Sequence, residues 1–317
     1  MRYIETLKEG MNVQDIYLCK QRRCALVTKN GKQYDDIILQ DKTGVINGKI
    51  WEPYSGGIDE CDDLDYVEVS GKVTEFNGSL QIRVERLRKV HEGEYVPSDY
   101  IPMSEYDIEE MFGKVLKLVE SVKNPYLNAL LKHFFVEDEK MVKAYKHQSA
   151  AKSIHHGFVG GLLEHSLSVA VSCNYIAEHY KFLNRDLLIT AALLHDIGKT
   201  REFSAFPLND YTDEGNLLGH IVMGSEMVGE AAKDIEGFPE ALLNELKHCI
   251  LSHHGKLEFG SPKKPALVEA VALNFADDMD AKLEYYKELM NAPVTESGEW
   301  MGYNRFFETN VRRTTEK

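Results

Sequence analysis

Arg185-Asp-Leu-Leu-Ile-Thr-Ala-Ala-Leu-Leu-His-Asp-Ile-Gly-Lys199 is the stretch on which the reading of this chain depends. Its apolar residues predict a helix over 185–195, and the run 187–194 is core-sized, far short of the roughly 18 apolar residues of a membrane span. The helix closes on His195-Asp196. Neutral imidazole and carboxylate are ligands for borderline divalent cations such as manganese, iron or zinc. A lone His-Asp pair arises often by chance, so the reading rests on its partners. His165 follows Gly160-Gly-Leu-Leu-Glu164, His220 is expected to open a helix, His253-His254 to end another, and Asp277 to lie within one more. Helix termini from different parts of a bundle can converge on one pocket. The ordered series His, His-Asp, His, His-His, Asp on successive helices therefore predicts a metal site. Asp278 and Asp280 lie one and three residues beyond Asp277. His155-His156 either reach the pocket or order the loop before it. His91, His133, His147, His179 and His248 have no partners by spacing and read as structural or surface residues.

Outward from this stretch, the periodicity is helical over 105–122, 126–135, 137–145, 162–180, 185–195, 220–232, 239–252 and 265–290. Ser104-x-x-Asp107 resembles a helix-start capping signal. Residues 292–317 show little pattern beyond Tyr303-Asn-Arg305-Phe-Phe307. The N-terminal part reads as strands instead. Strands are expected over 13–29, 33–40, 45–51, 66–76 and 79–90, with Asn30-Gly31, Asp41-Lys-Thr-Gly44 and Asn77-Gly78 as turns. Five strands with an interruption after the third match a small Greek-key barrel of the OB type. Alternation points Ile46, Ile50, Val67, Val69, Val73, Leu80, Ile82 and Val84 inward, leaving Lys49, Trp51, Lys72, Phe76 and Arg83 outside. Aromatic rings interleaved with basic groups suit single-stranded nucleic acid. The alternative is that Trp51 and Phe76 pack on the neighbouring domain.

Composition narrows the function classes. Of 317 residues, 43% are apolar and 28% charged, an ordinary globular balance that allows two domains or three. Net charge is −14. Residues 1–91 hold 14 Lys/Arg against 15 Asp/Glu, and residues 92–317 hold 23 against 36. No long-range basic field attracts nucleic acid, so a polyanion must be handled by local basic groups or bound cations. Met1-Arg-Tyr-Ile-Glu-Thr lacks the apolar core of a secretory signal. Cys19, Cys24, Cys61, Cys173 and Cys249 are an odd count without a C-x-x-C pair, and read as reduced thiols of a cytoplasmic protein.

The histidine-aspartate series is similar to the signature of the HD-domain phosphohydrolases. The chain as a whole resembles the YhaM-type 3′–5′ exoribonucleases, which join an N-terminal OB-fold to an HD domain. The resemblance is carried by Gly31-Lys-Gln-Tyr-Asp-Asp-Ile-Ile-Leu-Gln-Asp41, Lys49-Ile-Trp51, His155-His-Gly-Phe-Val-Gly-Gly-Leu-Leu-Glu-His165 and Leu194-His-Asp-Ile-Gly-Lys199. It continues through Glu214-Gly-Asn-Leu-Leu-Gly-His220, Leu251-Ser-His-His-Gly-Lys256, Phe259-Gly-Ser-Pro262 and Asp277-Asp-Met-Asp-Ala-Lys282 to Asn304-Arg305. It implies an OB barrel over 1–91, a linker over 92–104, an all-α HD bundle over 105–291 and a tail over 292–317. His165, His195, Asp196, His220, His253, His254 and Asp277 would be the metal ligands, with Asp196 bridging if two ions bind. Asp196 and Lys199 would serve catalysis, Lys199 as a point charge facing the phosphate. His155, His156, Lys256 and Arg305 would be accessory. The implied activity is manganese-dependent removal of nucleoside 5′-monophosphates from RNA 3′ ends by a homo-oligomer, with DNA acted on or bound by some members.

Two other classes compete. An HD hydrolase of small nucleotides would leave the barrel without a purpose. A nucleic-acid-binding protein with an HD scaffold would have no use for seven converging ligands. Cyclic-dinucleotide hydrolases carry Gly-Tyr-Pro after the paired histidines, whereas His253-His254 here leads into Gly-Lys-Leu-Glu-Phe-Gly.

Overall fold

The computed structural model describes residues 2–28, 30–152, 156–291 and 299–315. His155 lies outside the described residues, as do Lys29 at the end of the first expected strand and 292–298 of the tail. Strands β1 (Asn12–Val27), β2 (Gln33–Asp41), β3 (Gly44–Ile50), β4 (Tyr66–Phe76) and β5 (Ser79–Lys89) close into a barrel in the order β1-β2-β3-β5-β4. β1 pairs antiparallel with both β2 and β4, while β3 and β5 run parallel. That order, with one parallel pair inside an otherwise antiparallel barrel, is the OB arrangement. Ile37, Leu39, Ile46, Ile50, Val67, Val69, Val73, Ile82 and Val84 fill the interior as the alternation requires, and Leu80 packs half-buried at one end. Gly71 of β4 stands opposite the bulge at Glu85 of β5, where the barrel bends, and a Cβ there would stand 2.2 Å from the Arg83 carbonyl oxygen.

Nine α-helices follow among the described residues: α1 (Ile108–Ser121), α2 (Pro125–Lys132), α3 (Glu139–His147), α4 (Gly161–His179), α5 (Arg185–Leu194), α6 (Lys199–Glu202), α7 (Asp213–Ala231), α8 (Glu240–Ser252) and α9 (Val268–Asn291). α5 is buried continuously from Leu187 to Leu194 and touches α4, α8 and α9, so it forms the axis of the bundle. Its all-round apolar surface is the reason the bundle forms around it. No described helix is long and apolar enough to cross a membrane.

Three local expectations are corrected. The cap of α1 is Asp107, whose Oδ1 accepts from the Glu110 amide at 2.8 Å. Ser104 lies a turn too early for that job and instead donates to Glu164 Oε2 at 2.5 Å. The helix expected from 220 begins at Asp213, but Gly219 (φ 73°) breaks it, so His220 does start a new helical segment. The tail carries a hairpin, β6 (Trp300–Asn304) and β7 (Thr309–Arg312), where the sequence shows little pattern beyond the cluster at 303–307. Its anchor is aromatic: Phe307 stacks on Tyr286 of α9 at 4.0 Å between ring centres. Such short, mostly exposed strands leave no alternation to read.

Candidate metal centre and barrel face

His195 follows the last turn of α5, and its Nδ1 donates to the Ala192 carbonyl at 2.7 Å. His253 repeats this at the end of α8, on Ile250 at 2.7 Å. His254 Nδ1 meets the Phe259 carbonyl at 2.8 Å, His220 Nδ1 the Glu202 carboxylate at 3.0 Å, and His165 Nδ1 Asp280 Oδ2 at 2.7 Å. Each of these oxygens can only accept, so all five rings carry hydrogen on Nδ1 and turn Nε2 to the centre.

The centre has two halves that share Asp196. On one side, His165 Nε2 lies 3.2 Å from His195 Nε2, 3.1 Å from Asp277 Oδ1 and 3.5 Å from Asp196 Oδ2. On the other, Asp196 Oδ1 lies 3.4 Å from His220 Nε2 and 3.7 Å from His253 Nε2, with His254 in the same group. Asp196 Oδ1, His220 Nε2 and His253 Nε2 are buried and have no hydrogen-bond partner among the described residues. Buried polar atoms are rarely left so. Ligands held at about 2.1 Å from one ion stand roughly 3–4 Å apart, which is the spacing seen here. The donor set therefore fits divalent cations.

Charge is arranged to match. Burial opposes ionisation of Asp196, yet Lys199, His195 and His220 hold it well below the usual carboxylate range. Asp277 is likewise held down, against burial, by its hydrogen bond to His165 and the charge of His195. Burial and the flanking rings of His254 and His195 keep His253 neutral. His165 behaves differently: burial disfavours its cation, but hydrogen bonds to Asp277 and Asp280 push it up to about 10. Its metal-facing nitrogen must lose a proton before it can ligate, so ion binding releases one.

The other expected residues divide. Lys199 Nζ donates to Asp196 Oδ2 at 2.6 Å at the rim of the centre. His156 is buried, with Nε2 3.3 Å from Asp280 Oδ2. Lys256 is exposed, 3.5 Å from Glu258 and over the Phe259 ring, and Arg305 is exposed between β6 and β7. Sequence reasoning missed two orienting acids. Asp280 sits one turn after Asp277 on α9, so the two carboxylates clamp both nitrogens of His165. Glu202, three residues after Lys199, accepts from both the amide and Nδ1 of His220 at 3.0 Å. For Asp280 the i,i+3 spacing from Asp277 was the available signal, whereas Glu202 lies 18 residues from His220 and offered none.

On the barrel, Lys72, Arg83 and Lys49 are register partners across β4, β5 and β3, and form one row. Lys72 and Arg83 are exposed, whereas Lys49 Nζ bonds Asp36 Oδ1 at 2.5 Å. Trp51 leans on Tyr34 of the same barrel, 5.2 Å between ring centres, and lines a groove of about 440 Å³ with Arg83, Lys32 and Glu85. Phe76 is 63% exposed. Phe76 pairs with Ser79 and Trp51 lies just past the Ile50–Val84 pair, so the rings are roughly 17 Å apart along β5. The two aromatics flank the basic row and do not adjoin.

Residues 162–282 match the HD-domain family. Fold and site together define an HD-domain protein with an N-terminal OB-type barrel. The curated 3′-5′ exoribonuclease YhaM of Geobacillus sp. (strain WCH70) is 35% identical over 272 residues, which is 85% of this chain and 82% of that protein. The chain belongs to the YhaM exoribonuclease family. Among solved structures it is similar to the second OB-fold domain of replication protein A from Methanococcus maripaludis (22% identity, 30% of this chain and 98% of that one, TM-score 0.24). It is also similar to the hypothetical protein ygiW from E. coli (24% identity, 28% and 89%, TM-score 0.23). The OB assignment itself rests on the strand order.

Proposed function

We propose that this chain is a metal-dependent 3′–5′ exoribonuclease that removes nucleoside 5′-monophosphates from single-stranded RNA. The observation that carries the reading is Asp196, whose two carboxylate oxygens each face a different set of histidine Nε2 atoms. In this reading His165, His195, Asp196 and Asp277 hold one ion, and Asp196, His220, His253 and His254 a second. Bound divalent cations supply a lowered water pKa, toward about 7, and positive charge against the phosphoryl oxygens. Lys199 keeps Asp196 ionised and adds a fixed cation at the rim. Cleavage with the 3′ oxygen as leaving group leaves the phosphate on the 5′ carbon of the released nucleotide.

Manganese is the proposed ion, since imidazole-carboxylate sets accept it and availability decides among such metals. The proposed division is a strand-holding barrel over 1–91, a linker over 92–104, a hydrolytic domain over 105–291 and a tail over 292–317. The protein is proposed to work in the cytoplasm, in keeping with five free cysteines, as a homo-oligomer. A 5′-labelled RNA should shorten stepwise with Mn²⁺ and stay intact with chelator, and chelation should also lower the melting temperature. Internal fragments, 3′-monophosphates, or turnover of free deoxynucleotide triphosphates without RNA cleavage would overturn the reading.

The barrel gives a second test. Replacing Trp51 and Phe76 by Ala should weaken long single strands by roughly 1–3 kcal/mol per lost stack, seen as raised KM with kcat kept. Substrates of two or three nucleotides should change little. Losing Lys49, Lys72 or Arg83 should flatten the salt dependence, with Lys49 acting least because Asp36 already neutralises it. Equal damage to short and long substrates, together with a lower melting temperature, would mean that the rings serve packing alone.

A further inference from the structure

Behind His165, on the side away from the shared Asp196, α1, α4 and α9 enclose a cleft of about 340 Å³. Tyr106, Met111, His156, Glu164, Leu167 and Glu284 line it. His156 Nε2 faces Asp280, which places its hydrogen there and leaves the lone pair on Nδ1. That Nδ1 belongs to a residue only 3% exposed and has no hydrogen-bond partner among the described residues. Glu164 Oε1 stands 3.8 Å away, too far to be its partner. Ser104 occupies the other Glu164 oxygen, and Lys287 Nζ sits on Glu284 at 2.9 Å. Two adjacent acceptor atoms, His156 Nδ1 and Glu164 Oε1, thus stand without a hydrogen bond among the described residues, within one cluster that lines the cleft.

A ligand that satisfies both must bring two hydrogen-bond donors on neighbouring atoms, which is what a vicinal diol offers. Part of the lining suits a flat ring: Met111 and Leu167 are apolar and Tyr106 is 57% exposed, while Asp107, Glu110, Lys114 and Lys287 form a charged rim. The volume lies at the small end of the roughly 300–1,000 Å³ of ligand pockets, enough for one nucleoside. We propose that this cleft holds the 3′-terminal ribonucleoside of the strand, with His156 Nδ1 and Glu164 Oε1 accepting from its 2′ and 3′ hydroxyls. The proposal rests on the exonuclease reading and deepens it: a site that hydrogen-bonds the 2′ hydroxyl tells RNA from DNA. It also requires a free 3′ hydroxyl.

The test uses the full chain with Mn²⁺ and calorimetric binding of adenosine 5′-monophosphate and its 2′-deoxy and 3′-deoxy forms. Wild type should prefer the diol by roughly tenfold or more, because the analogues leave a buried acceptor unpaired. Glu164→Gln and His156→Ala should level the three affinities while metal content stays unchanged. Tyr106→Ala changes an exposed ring, is not a folding risk, and should weaken all three alike. RNAs ending in the same three nucleosides should be degraded in the same order of preference. Equal binding of the three nucleotides by wild type overturns the proposal, as does an extra manganese equivalent that Glu164→Gln removes, since the acceptors would then be cation ligands. Diol-selective binding without RNA shortening would keep the cleft and sink the exonuclease reading. RNA shortening with indifferent nucleotide binding would do the reverse.

Discussion

Asp196→Asn is expected to lower kcat by about 10³-fold or more, a loss of roughly 4 kcal/mol in transition-state stabilisation, and to remove at least one bound ion. Asparagine keeps the shape of the side chain but offers one oxygen where the centre uses two, and its amide group cannot ligate. The fold should survive. The Asn oxygen can still accept from Lys199 Nζ, the contact now made by Asp196 Oδ2. Asp196 Oδ1 has no hydrogen-bond partner among the described residues to lose. Metal content by mass spectrometry, kcat on a short RNA and the melting temperature of the metal-free protein separate these effects. Full activity of the variant at saturating Mn²⁺ would take Asp196 out of the centre.

Gly198→Ala should be nearly as damaging although it changes no ligand. A Cβ at Gly198 would lie 2.1 Å from the His220 carbonyl oxygen and 2.7 Å from the Gly224 amide nitrogen. Both contacts are backbone, so the turn after Asp196 and the second segment of α7 must part. Overpacking of this kind costs about 3 kcal/mol or more, which lowers the melting temperature by roughly 6–12 °C in a domain of this size. Because α7 carries His220, the half of the centre that contains it should lose its ion first. Gly113→Ala is the matched control. It lies within α1 with none of the described residues within 4 Å of the new methyl, and should stabilise by about 0.5–1 kcal/mol. A Gly198→Ala protein with wild-type melting temperature and metal content would refute the wedge.

The sequence made some of these features legible and hid others for reasons of distance along the chain. The apolar run of 187–194 announced a buried helix, and the alternation of β3, β4 and β5 sorted inward from outward residues. Alternation sends Lys49 to the outer face of β3, but Asp36, its ion partner on β2, cannot be foreseen without the register. Asp277, Asp278 and Asp280 were indistinguishable by type. In α9 the i,i+3 spacing brings Asp277 and Asp280 to one face, while Asp278 turns out to solvent and pairs with Lys282 at 2.7 Å.

What the sequence alone determined was therefore local: which side chains can ligate, the order in which they occur, and that they fall at helix ends. Those properties follow from side-chain chemistry and from helical and strand periods that span only a few residues. What the tertiary structure decided was which atoms meet. His165 and His195 are 30 residues apart, and His165 and Asp280 are 115 apart. Asp196 presents one oxygen to each half of the centre because α4, α7, α8 and α9 all bring their ligands to the end of α5. Whether a ring turns Nδ1 or Nε2 inward depends on a carbonyl or carboxylate supplied by that packing. No pattern along the chain encodes it directly.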